Sequence, residues 1–227
     1  MDKDLLNTIF LATCFLSLFG VAEFLYHRLK VRAEFTRKIV HVVTGLLSLL
    51  FPLLLANHLL VLFLCVSFGG ILIVSLKYKL LRSINGIDRP SVGSLAYPVS
   101  VYFCYLAYDH FGHNYTFYYL PILILAICDP LAALFGKQWP LGRYSVGNEN
   151  KTLVGSAFFF ISAFIISVIF IFLNTKNTEN STLDNFLAAG VIALVSTISE
   201  AVSGKGLDNL TIPASVVFVL ILNNLIF

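Results

Sequence analysis

The chain has 227 residues, of which 58% are hydrophobic and only 12% are charged, and its formal net charge is +3. Because soluble domains carry about 25% charged residues, this chain has too few charges to cover a water-facing surface, which excludes a soluble globular protein. We expect a single integral membrane domain over residues 1–227, surrounded by the lipid bilayer, and no nucleic-acid partner.

Eight apolar segments are predicted to cross the membrane. A spanning helix needs about 20 mostly apolar residues. The second and third segments are separated only by Asn57 and His58, which predicts a tight hairpin. The fourth is short and contains Pro98, so a bundle of seven helices is the alternative. The predicted fold is an all-α, polytopic transmembrane helix bundle, with spans at 5–26, 38–56, 59–76, 95–108, 117–136, 153–173, 186–202 and 211–227.

Lys and Arg are concentrated in alternate loops of this arrangement. Segments 27–38, 77–94, 137–152 and 203–210 hold five, four, three and one of them, and the other two are Lys3 and Lys176. Since Lys and Arg are enriched in cytoplasmic loops, this asymmetry favours eight spans. It predicts both termini on the non-cytoplasmic side and the basic loops in the cytoplasm.

Five segments place polar residues near the predicted cytoplasmic ends of helices. An ionisable side chain within a membrane helix costs about 2.5–3.5 kcal/mol on insertion scales, so such positions are candidates for a functional site. The candidates are Arg37, Lys38 and His41; Asp129; Lys151 and Thr152; Glu200; and Asp208 and Asn209.

Each of these residues has a structural alternative. Arg37 and Lys38 share a helix face with His41, which favours a phosphate contact, but they are also typical anchors at the cytoplasmic surface. Asp129 precedes small residues at helical spacing, which permit close approach of a helix or a ligand. Its carboxylate suits Mg²⁺, which binds one or two protein carboxylates together with substrate phosphates. A buried ion pair with a Lys or Arg is the alternative.

Residues 137–152 form the longest polar segment on the cytoplasmic side, and we expect a loop there. Its glycines, including Gly142 and Gly147, permit the backbone to wrap a phosphate, and Arg143 and Lys151 supply positive charge. The segment lacks the spacing of a P-loop, and the sequence predicts no β-strand before it.

Four sequence blocks in this order resemble the family of CTP-dependent lipid-alcohol kinases, which includes phytol kinase, dolichol kinase and the CTP-using diacylglycerol kinase. The first is similar to an RKxxH element and the second to an Arg/Gly segment before a short helix. The third is similar to a DxxAxxxG…G…K[ST]xxGS signature, and the fourth to an ExxxxxxxDNLxxP ending. The blocks begin at Arg37, Arg89, Asp129 and Glu200.

The resemblance implies transfer of the γ-phosphoryl group of a nucleoside triphosphate, by family habit CTP, to the hydroxyl of a membrane lipid alcohol. The alcohol would be an isoprenoid such as phytol, polyprenol or dolichol, or else diacylglycerol. The resemblance implies a site facing the cytoplasm, with Mg²⁺ held by Asp129 together with Glu200 or Asp208. Asp129, Lys151 and His41 would be catalytic, with His41 or a carboxylate orienting or deprotonating the alcohol. The implied nucleotide contacts are Arg37, Lys38, Gly136, Gly142, Arg143, Lys151, Thr152, Gly155 and Asn209.

Two other functions are alternatives at this point. A phosphatidate cytidylyltransferase also uses CTP and Mg²⁺ at a membrane, but it releases pyrophosphate, and that class typically clusters several carboxylates around its metals. A small transporter would place polar residues near the bilayer midplane as well as at the surface. The sequence indicates no oligomeric state.

Overall fold

The computed structural model describes residues 3–86, 92–147, 149–174 and 182–226. Within these ranges the chain is helical except for one β-hairpin and the connecting turns. In chain order the elements are α1 (Lys3–His27), α2 (Ala33–Ser48), α3 (Phe51–Leu54), α4 (His58–Tyr78), α5 (Arg82–Asn85), α6 (Gly93–His110), α7 (Thr116–Leu123), a π-helical segment (Ile124–Cys128), α8 (Asp129–Gln138), β1 (Arg143–Val146), β2 (Glu149–Thr152), α9 (Leu153–Asn174), α10 (Thr182–Val202) and α11 (Asp208–Ile226).

The all-α membrane bundle is confirmed. Among the described residues, six helical stretches are long and apolar enough to cross a bilayer: Lys3–His27, Ala33–Leu54, His58–Tyr78, Thr116–Gln138, Leu153–Asn174 and Thr182–Val202. The other two predicted spans are also helical, as α6 and α11. The tight hairpin between the second and third spans is present, since α3 ends at Leu54 and α4 begins at His58.

Several predicted boundaries differ from the observed ones. Helix α2 begins at Ala33, so Arg37 and Lys38 lie in its second turn and not at its start. The prediction of a loop at 137–152 without a β-strand is wrong, because β1 and β2 pair in antiparallel register there, with Tyr144 opposite Lys151. Each strand has only four residues, and β2 (Glu-Asn-Lys-Thr) contains no apolar residue, so the segment lacks the longer apolar alternation that predicts a strand.

Most of the long helices bury one face and leave the rest to lipid. On α9 the buried residues Gly155, Phe159, Ala163 and Ser167 recur every four positions, as expected for one side of an α-helix. Large apolar residues on its other faces, such as Ile165, are half exposed. An apolar surface of this extent is stable only in a hydrocarbon solvent.

Tyrosines from other helices donate hydrogen bonds to backbone carbonyls on either side of α3. Tyr118 donates its hydroxyl to the Ser48 carbonyl and Tyr105 donates to the Leu55 carbonyl, each at 2.7 Å. Both rings are almost completely buried. Because lipid offers no hydrogen bonds to an unpaired carbonyl, these contacts fix where the second span bends.

Helix α2 also packs closely on the π-helical segment at Gly45. A methyl group at this position would overlap Ala126 Cβ and lie 2.6 Å from the Tyr97 hydroxyl oxygen. Glycine is therefore required for the close approach of these two helices, and this approach sets the distance between His41 and the start of α8.

We expect Gly45→Ala to lower the free energy of unfolding by about 1–3 kcal/mol, the usual cost of overpacking. Thermal unfolding of the purified protein in detergent measures this change. Gly69→Ala on α4 is the matched control, because nothing lies within 4 Å of a methyl group there and alanine favours a helix. Equal melting temperatures for the two variants would contradict the packing described here.

Candidate functional site

One cavity of about 540 Å³ opens at the end of the bundle that carries the basic loops. It gathers residues from five segments that are far apart in sequence, as the polar positions had predicted. The candidate residues that line it are Arg37, Lys38, His41, Asp129, Gly136, Lys151, Thr152, Gly155, Glu200, Asp208 and Asn209.

A buried ion pair joins the hairpin to the end of α10. Lys151 Nζ lies 2.6 Å from Glu200 Oε1 and also donates to the Glu200 backbone carbonyl. The two side chains are only 11% and 9% exposed. The second carboxylate oxygen, Glu200 Oε2, is buried and accepts no hydrogen bond from any described residue. An ammonium has three donors, so Lys151 keeps one N–H for a ligand in the cavity.

His41 is held by a backbone carbonyl that the π-helical segment makes available. In π geometry an amide bonds five residues back, and the residue five positions after Leu125 is Pro130, which has no N–H. The Leu125 carbonyl instead accepts from His41 Nε2 at 3.0 Å. Because a carbonyl oxygen only accepts, Nε2 carries the proton in this contact. The His41 ring also packs edge-on against Tyr97, whose hydroxyl donates to the His41 carbonyl at 3.1 Å.

Asp129 begins α8, immediately after the π-helical segment. Its Oδ2 lies 3.8 Å from His41 Nε2, and its side chain is 22% exposed to the cavity. Its carboxylate is close enough to Asp208, Glu200 and Lys151 for their charges to interact. Asp129 is therefore an accessible carboxylate surrounded by both signs of charge.

Thr152 and two glycines shape the wall between α8 and α9. Thr152 Oγ1 accepts from the Gly155 amide at 3.0 Å and so caps α9, which begins at Leu153. A methyl group on Gly136 would lie 2.7 Å from Thr152 Oγ1, and one on Gly155 would lie 2.9 Å from the Ala132 carbonyl. The small residues thus allow the two helices to touch, as their helical spacing predicted.

The start of α11 is fixed to the start of α6. Asn209 Nδ2 donates to the Gly93 carbonyl at 2.8 Å, and the Val92 amide donates to the Lys205 carbonyl at 2.9 Å. Asp208 Oδ1 accepts from the Asn209 amide at 3.0 Å. These bonds hold Asp208 and Asn209 at the cavity, so the turn before α11 forms one of its walls.

Two predicted nucleotide contacts are not brought to the cavity. Gly142, with φ of +64°, lies against Leu153, and Arg143 is an exposed residue at the start of β1. Arg89, which begins the second family block, lies outside the described residues. The structure adds Glu149, which is 8% exposed and lines the cavity. Recognising β2 in the sequence would have identified Glu149, because Glu149 and Lys151 share one face of that strand.

The carboxylates of the cavity suit a magnesium ion that is also bound by the phosphates of a ligand. No group of three or more His, Cys, Asp or Glu side chains among the described residues is close enough to enclose an ion. Mg²⁺ needs no such cage, because it binds through one or two carboxylates and substrate phosphates. Asp129 and the unpartnered Glu200 Oε2 meet that requirement.

The fold and this cavity define an integral membrane protein whose buried charges are gathered into one site at one end of the bundle. The chain is 31% identical over 204 residues to the phytol kinase of Synechocystis sp. (strain ATCC 27184 / PCC 6803 / Kazusa), an alignment that covers 89% of this chain and 85% of that enzyme. It therefore belongs to the family of lipid-alcohol kinases that the four sequence blocks had indicated. No protein-family model matches the chain, and neither does any solved structure.

Because Lys151 and Glu200 are both buried, removing one of the two charges should destabilise the protein more than removing both. We expect Lys151→Met to lower the free energy of unfolding by about 3–5 kcal/mol, because it leaves the Glu200 carboxylate buried without its cation. The double variant Lys151→Met/Glu200→Leu should regain most of that loss while remaining inactive. Glu34→Gln, which breaks the exposed pair with Lys137, is the control and should cost less than about 1 kcal/mol. Chemical or thermal unfolding measures all three, and a double variant no more stable than the single one would refute a buried pair.

Proposed function

We propose that this protein transfers the γ-phosphoryl group of CTP to the hydroxyl of a membrane lipid alcohol, most closely an isoprenoid alcohol such as phytol, polyprenol or dolichol. The observation that carries the proposal is that Lys151, Asp129 and Asn209, from three separated segments, line the same cavity. Membership of the lipid-alcohol kinase family supports the same reaction.

Phosphoryl transfer depends mainly on positioning and on neutralising the charge of the phosphates. Arg37, Lys38 and Lys151 supply three cations around the cavity. The free N–H of Lys151 and the guanidinium of Arg37 suit a triphosphate, since a compact ammonium and a planar fork bind phosphate oxygens in complementary ways. The nucleotide would enter from the end with the basic loops, which we place on the cytoplasmic side.

We assign the deprotonation of the alcohol to Asp129. Its carboxylate reaches the cavity, whereas the His41 nitrogen nearest to that carboxylate, Nε2, carries a proton that it donates to the Leu125 carbonyl, which leaves the lone pair of His41 on Nδ1. His41 is then a positioning residue that holds α2 against the start of α8. Bound magnesium would neutralise charge on the phosphates. Asp129, with Glu200 or Asp208, would hold it.

The same cavity has a bearing on the two alternatives. Its polar residues lie together at one end of the bundle, and within the described ranges they do not continue as a charged path to the other end, which argues against a transporter. A cytidylyltransferase would use the same nucleotide and the same depth in the membrane. Here the carboxylates do not form a cluster of three among the described residues, which favours the kinase reaction.

The substrate panel that tests this proposal combines four nucleotides with three alcohols. Purified protein in detergent should phosphorylate phytol or a polyprenol with CTP and magnesium, and diacylglycerol poorly. The measurement is the phosphorylated lipid, separated by chromatography. Transfer from ATP in preference to CTP would correct the donor, and no transfer to any alcohol would refute the proposal.

Variants of the two residues next to the hydroxyl should separate their roles. Asp129→Asn should lower kcat by about 10²-fold or more, the usual contribution of a general base. His41→Gln keeps an N–H for the Leu125 carbonyl and should lose less than about tenfold, whereas His41→Leu should lose far more. Equal losses in His41→Gln and His41→Leu, with Asp129→Asn active, would reverse the assignment.

A further inference from the structure

One face of the second span lines the cavity from its charged end deep into the bundle. Arg37, His41, Thr44, Ser48 and Phe51 all line the cavity. The first four lie on one side of α2, with spacings of three and four residues, and Phe51 begins α3. At 1.5 Å per residue, the 11 residues from Arg37 to Ser48 cover roughly 17 Å. The cavity therefore runs through more than half of a hydrocarbon core about 30 Å thick.

The side chains along this path change from charged to apolar. Beyond Ser48, whose hydroxyl already donates to the Gly45 carbonyl at 2.8 Å, the wall is hydrocarbon, aromatic rings and one thiol. We call this region the tail pocket, and its residues are Phe15 and Phe19 of α1, Phe51 of α3, and Cys65, Phe68 and Leu72 of α4.

The rings of the tail pocket contact one another and are shielded from the surrounding lipid. Phe15 lies 4.9 Å from Phe68 and 5.9 Å from Phe51 between ring centroids, and Phe19 lies 6.0 Å from Phe68. Each of the six side chains is at most 9% exposed. The tail pocket is thus formed by side chains in the interior of the bundle and not by its lipid-facing surface.

The direction of the helices shows which end of the tail pocket lies nearer the charged end of the cavity and which end lies deeper in the bundle. Helix α4 runs toward the loop that carries the basic residues, so Leu72 lies nearer the charged end than Cys65, one heptad earlier. By the same reasoning Phe19 is nearer than Phe15. Phe15, Phe51 and Cys65 therefore form the deep end, in agreement with the contact between the first two rings.

We infer that the tail pocket binds the hydrocarbon tail of a single-chain lipid alcohol and that Cys65, at its deep end, sets the length of chain accepted. This inference rests on the proposed function. The whole cavity of about 540 Å³ lies within the range for one small ligand, roughly 300–1,000 Å³. A cavity of this size suits one hydrocarbon chain better than the two acyl chains of a diacylglycerol.

The geometry has a chemical consequence for the reaction. A tail that fills the pocket from Leu72 to Cys65 leaves its hydroxyl at the level of His41 and Asp129, where the proposed base lies. The alcohol would be drawn from the bilayer, held by apolar contacts alone, and presented to the phosphates at the charged end.

The test uses geraniol and phytol, which share an allylic alcohol and differ in chain length. Cys65→Trp should fill the deep end, lowering kcat/KM for phytol at least tenfold while changing that for geraniol less than about twofold. About two methylene groups lost from an apolar pocket suffice for a tenfold change.

Leu72→Trp, nearer the charged end, should impair both alcohols. Val66→Trp is the matched control, since Val66 is the next residue on α4 but is 63% exposed, and it should match the wild type.

Binding of radiolabelled phytol without nucleotide gives a second readout that needs no catalysis. Cys65→Trp should lose this binding and Val66→Trp should keep it. If the wild type phosphorylates no alcohol, the proposed function fails. Phytol binding then still tests whether the tail pocket holds the hydrocarbon tail. Phe51→Ala, which lengthens the pocket, should raise activity on a polyprenol longer than phytol and covers the case in which Cys65→Trp does not fold. Equal losses for both alcohols in folded Cys65→Trp, or phytol binding unchanged in it, would overturn the inference.

Discussion

The ion pair between Lys151 and Glu200 closes the site from two segments 49 residues apart. Two charges at 11% and 9% exposure carry a desolvation cost that only close pairing offsets. The pair therefore requires the hairpin to fold back against the end of α10. Once that contact exists, β2 presents Glu149 to the same cavity, and Thr152 caps α9 directly beside it. The wall of the cavity formed by the hairpin and the start of α9 follows from this one constraint.

The rest of the site is built by exceptions to regular helix geometry. The π-helical segment and Pro130 release the Leu125 carbonyl, which binds His41. Gly45 lets α2 approach that segment closely enough for the bond to form. The same span, bent where Tyr118 satisfies the Ser48 carbonyl, continues down to the tail pocket. One helix thus links a charged end that suits phosphates to an apolar end that suits a lipid chain.

The sequence predicted the membrane class and the grouping of polar residues at helix ends, because a charged side chain within a membrane helix carries a large insertion cost. Asp129, Lys151 and Glu200 stood out as costly residues at helix ends, and the cavity unites them. The hairpin was missed because its strands are only four residues long and β2 contains no apolar residue. The π geometry was missed because the apolar run Ile124–Cys128 carries no residue pattern that separates π from α hydrogen bonding. Gly142 and Arg143, which were expected at the nucleotide, do not line the cavity, since spacing alone does not show which way a hairpin faces.

In the proposed reaction, the charged end transfers a terminal phosphoryl group to an alcohol held in the apolar end. Supplying phytol with two preparations of CTP, one labelled at the α-phosphorus and one at the γ-phosphorus, and following each label into the lipid measures this transfer. We expect the γ label to move to the lipid and the α label to stay in CDP. Entry of the α label into the lipid, with release of pyrophosphate, would contradict it.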